Sequence, residues 1–151
     1  MENISEHISY KEATVSPTST RLGIANTPEE FILKRMKKVA EVCFEPIRNH
    51  YGKPITVTSM YRSLELNNAI GGSSRTSQHM SGEAIDFDCG KDNKEIFAWI
   101  RENIKFDQLI WEYGNDLEPD WIHISFTEQR ENRGQVLRVH LENGKMIWQN
   151  I

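Results

Sequence analysis

One stretch, Ser77-Gln78-His79-Met80-Ser81-Gly82-Glu83-Ala84-Ile85-Asp86, restricts this chain more than any other. After Ser81 the pattern alternates, with Ile85 and Phe87 on one face and Ala84, Asp86 and Asp88 on the other, which predicts a strand. His79 precedes that strand in a Ser-rich loop. Gly82 between them gives the backbone the freedom to fold back. A loop imidazole and a strand carboxylate then converge on one point, and both are good zinc ligands. A third ligand has to come from elsewhere in the chain.

The rest of the sequence sets the frame for that site. At 151 residues the chain is long enough for one domain with a buried core. Its net charge is -4 and its basic residues are scattered, which argues against nucleic acid as a partner. No apolar run approaches the roughly 18 residues a membrane span needs. The first ten residues are polar and acidic, unlike a secretory leader, so the chain is expected to be made in a cytoplasm. Cys43 and Cys89 lie far apart without a C-x-x-C pattern and read as reduced core or edge residues.

Residues 1–26 are polar and interrupted by Ser16-Pro17 and Gly23, and are expected to form an arm or loop wrapped on a single domain of residues 27–151. Thr27, Pro28 and Glu30 form a helix-start signature with a capping box. Ile32, Met36, Val39, Cys43 and Ile47 follow at helical spacing, Pro46 is expected to kink the helix or split off its last turn, and Gly52 to stop it. Residues 55–59 alternate as a strand, and Ser63 caps a short helix over 64–70 that Gly71-Gly72 closes. A helix opened by Asp92 or Asn93 buries Ile96, Phe97 and Ile100. Strands are predicted over 106–112 and 121–126, paired through a long loop, and over 136–141 and 145–149, joined by the hairpin signal Asn143-Gly144. Helices first and hairpins afterwards predict an α+β fold with a mostly antiparallel sheet and helices packed on one side.

Of the five histidines, His123 sits in a strand with a suggestive face. Ile122 and Ile124 belong to the core, so Trp121, His123 and Ser125 face a cleft or solvent. His123 is therefore the expected third ligand beside His79 and Asp86. Three protein ligands leave one zinc position open, the arrangement of a catalytic site. A general base is then needed, and two acids compete. Glu112 ends the partner strand after Leu109, Ile110 and Trp111, an apolar setting that raises a carboxyl pKa. Asp120 is three residues before His123, and strand parity turns it to the opposite face unless the strand starts at Trp121. Glu112 is preferred and Asp120 held in reserve.

Together these residues, Ser77-x-His79-x-x-Gly82-x-Ala84-x-Asp86 followed by Trp121-Ile122-His123, resemble the zinc D-Ala-D-Ala carboxypeptidase family. That family shares its fold with D-Ala-D-Ala dipeptidases, lysostaphin-type endopeptidases and the hedgehog signalling domain. The similarity runs over about residues 24–126 and includes the strand ending at Arg62 and the strand ending at Glu112. The resemblance implies Zn2+ held by His79, Asp86 and His123, Glu112 as base, and Arg62 and Ser77 facing substrate, with Gln108 assisting by hydrogen bonding. One position departs from the family pattern, and a second differs from some relatives. Trp121 stands where relatives often have a histidine, and Asp120 where some have a glutamate. The H-E-x-x-H helix of the common zinc proteases is missing.

The expected function is hydrolysis of peptide bonds in peptidoglycan stem peptides or cross-links, by a monomer that acts on the wall in phage lysis or from a virion, or that stays cytoplasmic. The alternative is a non-catalytic zinc domain used for binding or assembly. His7, His50 and His140 read as structural, Asp88 as a strand-end cap, and the cationic residues of the first helix as a solvated face. Trp99, Trp111 and Trp148 read as core, whereas Trp121 lines the cleft.

Overall fold

A computed structural model describes residues 2–70 and 76–151. The Gly71-Gly72 helix stop and most of the loop leading to Ser77 lie outside the described residues. Two short helices come first, α1 (Tyr10–Thr14) and α2 (Pro17–Leu22). Ser9 caps α1 in a reciprocal capping box with Glu12. The 1–26 segment is thus partly helical, and it delivers Ile4, Ile8 and Ala13 into the main core. Glu45 fastens it, accepting hydrogen bonds from the Ser5 hydroxyl (2.6 Å) and the His7 backbone (3.0 Å) and meeting the His7 ring at 2.6 Å.

The long helical stretch begins as α3 (Glu30–Val39). Its cap position is Glu29 and no side chain caps it, so the expected Thr27 capping box does not form. The break expected at Pro46 takes the form of a π-helical turn, Ala40–Phe44, before α4 (Glu45–Tyr51). Glu45 N–H there reaches the Ala40 carbonyl, one residue further back than in an α-helix. The wider turn spares the Pro46 ring from pressing on the carbonyl four residues earlier. Gly52 ends α4 in the left-handed conformation at φ 72°. Ile32, Met36, Val39, Cys43, Phe44 and Ile47 form the buried stripe.

Strand β1 (Thr56–Ser59) leads into α5 (Leu64–Ala69), capped by the Ser63 hydroxyl. Strand β2 (Ala84–Asp88) leads into α6 (Asn93–Asn103), which buries Ile96, Phe97 and Ile100. The Asp88 carboxylate accepts from Gly90 N–H and the Asn93 amide, so it closes the strand end. Strands β3 (Gln108–Glu112), β4 (Trp121–Ser125), β5 (Gln135–Glu142) and β6 (Lys145–Asn150) complete a sheet of order β1-β2-β4-β3-β5-β6. Every pairing is antiparallel except β3 with β5. Asn143 and Gly144 both adopt positive φ in the β5–β6 turn, as an Asn-Gly hairpin requires. The fold is α+β.

Strand alternation divides the sheet into two chemically distinct faces. Ile85, Phe87, Leu109, Trp111, Ile122 and Ile124 pack with Met36, Phe44, Ile47 and the α6 residues in one core. The other face carries Asp86, His123, Glu112 and a small apolar cluster of Ile110, Leu137 and Val139. Helices α1, α3, α4 and α6 therefore fill one side and leave the second as the floor of a cleft. Two of the three tryptophans read as core meet that expectation only partly or not at all. Trp111 is buried; Trp99 is half-buried and stacks on His50 at 4.0 Å; Trp148 is 49% exposed and lines the cleft. β6 is an edge strand with no layer packed over its cleft face, so alternation alone misplaces its indole.

Candidate metal centre and catalytic cleft

Gly82 sets the turn between His79 and β2. Its φ is +76°, and a Cβ there would lie 2.8 Å from both Ile32 Cγ2 and the Ile32 carbonyl oxygen. Only glycine satisfies both the left-handed backbone and this approach to α3. The turn places the His79 carbonyl to accept from Arg62 N–H at 3.2 Å, joining the end of the β1 segment to the loop.

Asp86 and His123 are direct cross-strand partners on β2 and β4. His123 Nδ1 lies 2.9 Å from Asp86 Oδ1, and His79 Nε2 lies 3.2 Å from Asp86 Oδ2. The imidazole rings meet edge to face at 5.2 Å between centroids, and all three side chains are buried. One ligand atom from each lies within 4.8 Å of the others. Burial pushes the His79 imidazole pKa down, against the pull of the Asp86 carboxylate. Burial also opposes the charged form of Asp86, but the adjacent His79 and His123 hold its carboxyl well below the usual range. For His123, burial is outweighed by the hydrogen bond and charge of Asp86, and the imidazole pKa is raised.

The proton on His79 is placed by its surroundings. Nδ1 lies 2.6 Å from the Met60 carbonyl oxygen, which can only accept, so Nδ1 carries the hydrogen. Nε2 of a neutral ring is then a bare lone pair. It is buried, makes no hydrogen bond, and faces the Asp86 carboxylate. Two acceptors facing each other out of water repel, whereas a cation between them bonds to both. The donor set of two imidazoles and one carboxylate fits zinc, and the Met60 carbonyl is the kind of outer partner that orients a ligating histidine.

These groups open into a cavity of about 1100 Å3 that also takes in Glu112, Arg62, Ser77, Gln108 and Trp121. Glu112 pairs with Trp121 across the β3–β4 ladder, next to the His123 position. Burial raises the Glu112 carboxyl pKa to about 7, with the positive charge of His123 opposing the shift and Asp86 adding to it. Arg62 is half-buried, and its Nε–H is out of water without a partner. Burial lowers the Arg62 pKa against the pull of Asp86 and Glu112. The Ser77 hydroxyl accepts from His79 N–H at 3.2 Å, and the Gln108 amide donates to the Gln135 side chain at 2.9 Å. Asp120 is exposed and does not line the cavity; its backbone N–H donates to the Glu112 carbonyl.

Sequence reasoning missed a buried hub beside this site. Asp107 accepts from Arg130, Arg133 and the Gln78 amide, including 2.8 Å contacts from each arginine. These bonds depress its carboxyl pKa strongly, against the cost of burial. The hub ties the 126–134 loop to the residue before His79. Nothing in the local pattern links Asp107 to arginines 23 and 26 positions away. A second group, Glu6, His7 and Glu45, also has metal-ligand spacing, but there the Glu45 carboxylate already holds Ser5 and His7.

No curated protein matches the chain. A profile of the peptidase M15 family matches residues 6–125, which include every residue of the His79–Asp86–His123 group and Glu112. The chain therefore belongs to the peptidase M15 family, whose members are zinc-dependent metallopeptidases.

Proposed function

We propose that this chain is a zinc peptidase that hydrolyses peptide bonds in peptidoglycan stem peptides or their cross-links. The observation that carries the reading is the bare, buried His79 Nε2 facing Asp86, with His123 and Glu112 in the same cleft. His79, Asp86 and His123 hold the ion; when bound, zinc supplies Lewis acidity that activates water near neutral pH and polarises the substrate carbonyl.

The remaining work falls to this chain's own side chains. Glu112 takes a proton from the attacking water as the water oxygen bonds to the carbonyl carbon. It returns that proton to the amide nitrogen as the carbon–nitrogen bond breaks. Arg62 supplies a fixed cation with an unspent N–H, suited to a developing oxyanion or a substrate carboxylate. Ser77 and Trp121 line the walls. Water is both nucleophile and co-substrate, so no covalent enzyme intermediate is needed.

Incubation of the zinc-loaded protein with defined muropeptides, read by mass spectrometry, tests this reading. Cleavage at one peptide bond, lost on chelation and restored by zinc, is expected. Intact muropeptides at micromolar enzyme, with zinc bound, contradict it and favour the non-catalytic zinc domain.

A further inference from the structure

The family match ends at residue 125, yet the cleft does not. Leu137, Met146, Trp148 and Asn150, together with Arg130 and Arg133, extend its wall and floor. Strand register fixes how these residues relate to the chemistry. Glu112 is aligned with Val139 on β5, and Val139 with Trp148 on β6. One row further, His123, Ile110, Leu137 and Asn150 are aligned across four strands. Directly paired residues share a face, so Trp148 stands on the same face as Glu112, two strand spacings or about 10 Å away.

Between them Ile110, Leu137 and Val139 are buried, with Tyr113 packed against them. Trp148 and Met146 rise from the far side and remain 49% and 38% exposed. A flat indole at the end of an apolar floor, continuous with the catalytic groups, is a wall against which a bound chain lies. The cavity, about 1100 Å3, also exceeds the volume of common small-molecule sites, roughly 300–1000 Å3, and a dipeptide fills only a small part of it. Gln108, Gln135 and the half-exposed guanidinium groups of Arg130 and Arg133, which also hold Asp107, line one margin.

We propose that the β5–β6 face is a substrate subsite, with Trp148 as its specificity-determining residue, so that the preferred substrate is an extended peptide and not a free dipeptide. The proposal rests on the peptidase reading above and adds to it the length of chain the enzyme takes.

The test uses stem peptides from two to five residues that share one cleaved bond, with zinc-loaded parent and Trp148→Ala proteins. For the parent, kcat/KM rises with length on one side of the bond. Trp148→Ala lowers it by about 10- to 100-fold for the longest peptide, mainly through KM, and by much less for the shortest; Trp148→Phe restores most of the loss. In Glu112→Gln protein, which retains substrate uncut, the Trp148 indole N–H resonance shifts with the long peptide and not with the short one. A flat length dependence, or an equal loss for short and long peptides, overturns the subsite while leaving the peptidase reading intact. A parent that cleaves no peptide overturns both. A dimer that buries Trp148 at working concentration overturns the subsite in favour of a second copy as the occupant.

Discussion

Glu112→Gln is expected to lower kcat by about 10³-fold while zinc content stays at one equivalent. The amide keeps the size and much of the hydrogen bonding of the acid but cannot shuttle a proton. Glu112 ends β3, aligned with Trp121 and one row from His123, so its loss touches the chemistry without dismantling the ligand group. Its surroundings predict a second, independent signature in the metal-free protein. Burial lifts the carboxyl from its ordinary 4.5 to about 7. A group raised on folding stabilises the protein below its unfolded pKa, and that contribution is lost as the pH climbs through the folded one. Metal-free parent should therefore lose stability between about pH 4.5 and pH 7 from this site, and the Gln variant should not. Parallel thermal melts across that range check the sign. A variant that cleaves as fast as the parent moves the base elsewhere in the cleft.

Asp107→Ala is expected to cost about 3 kcal/mol, lowering the melting midpoint by about 10 °C. The Asp107 side chain is fully buried, and its two oxygens accept from both arginines and from Gln78. Removing it frees the 126–134 loop, which closes the cleft margin, and releases the side chain beside His79. The pH dependence runs opposite to that of Glu112. Asp107 is depressed on folding, so its contribution is complete above the unfolded carboxyl value of about 3.9 and fades as the pH falls below it. The gap between parent and variant should close in acid. An equal gap at pH 3 and pH 7 would show that the ionised carboxylate is not what stabilises the loop.

Where the chain's own pattern carries the information, sequence and structure agree closely. The stripe Ile32, Met36, Val39, Cys43 and Ile47, the Ser63 cap, the alternation around Asp86 and the Asn143-Gly144 turn are local features, and each is where its residues predict. The start of α3 differs because Glu29, not Thr27, takes the cap position. What stayed hidden depends on distant partners. The Met60 carbonyl that fixes the His79 tautomer is 19 positions away, and the arginines that hold Asp107 are further still. Trp148, expected in the core, is exposed: periodicity reports which face a residue shares, but not whether another layer covers that face. The site chemistry was legible because His79, Gly82 and Asp86 form one short segment; the breadth of the cleft was not, since its wall comes from a hairpin more than fifty residues later.

Anomalous diffraction at the zinc edge, on crystals of the zinc-loaded protein, asks most directly whether two imidazoles and an aspartate share one ion. A single strong peak about 2.0–2.2 Å from His79 Nε2, Asp86 and His123 is the predicted result. No peak there, or one at Glu6, His7 and Glu45 instead, would contradict it.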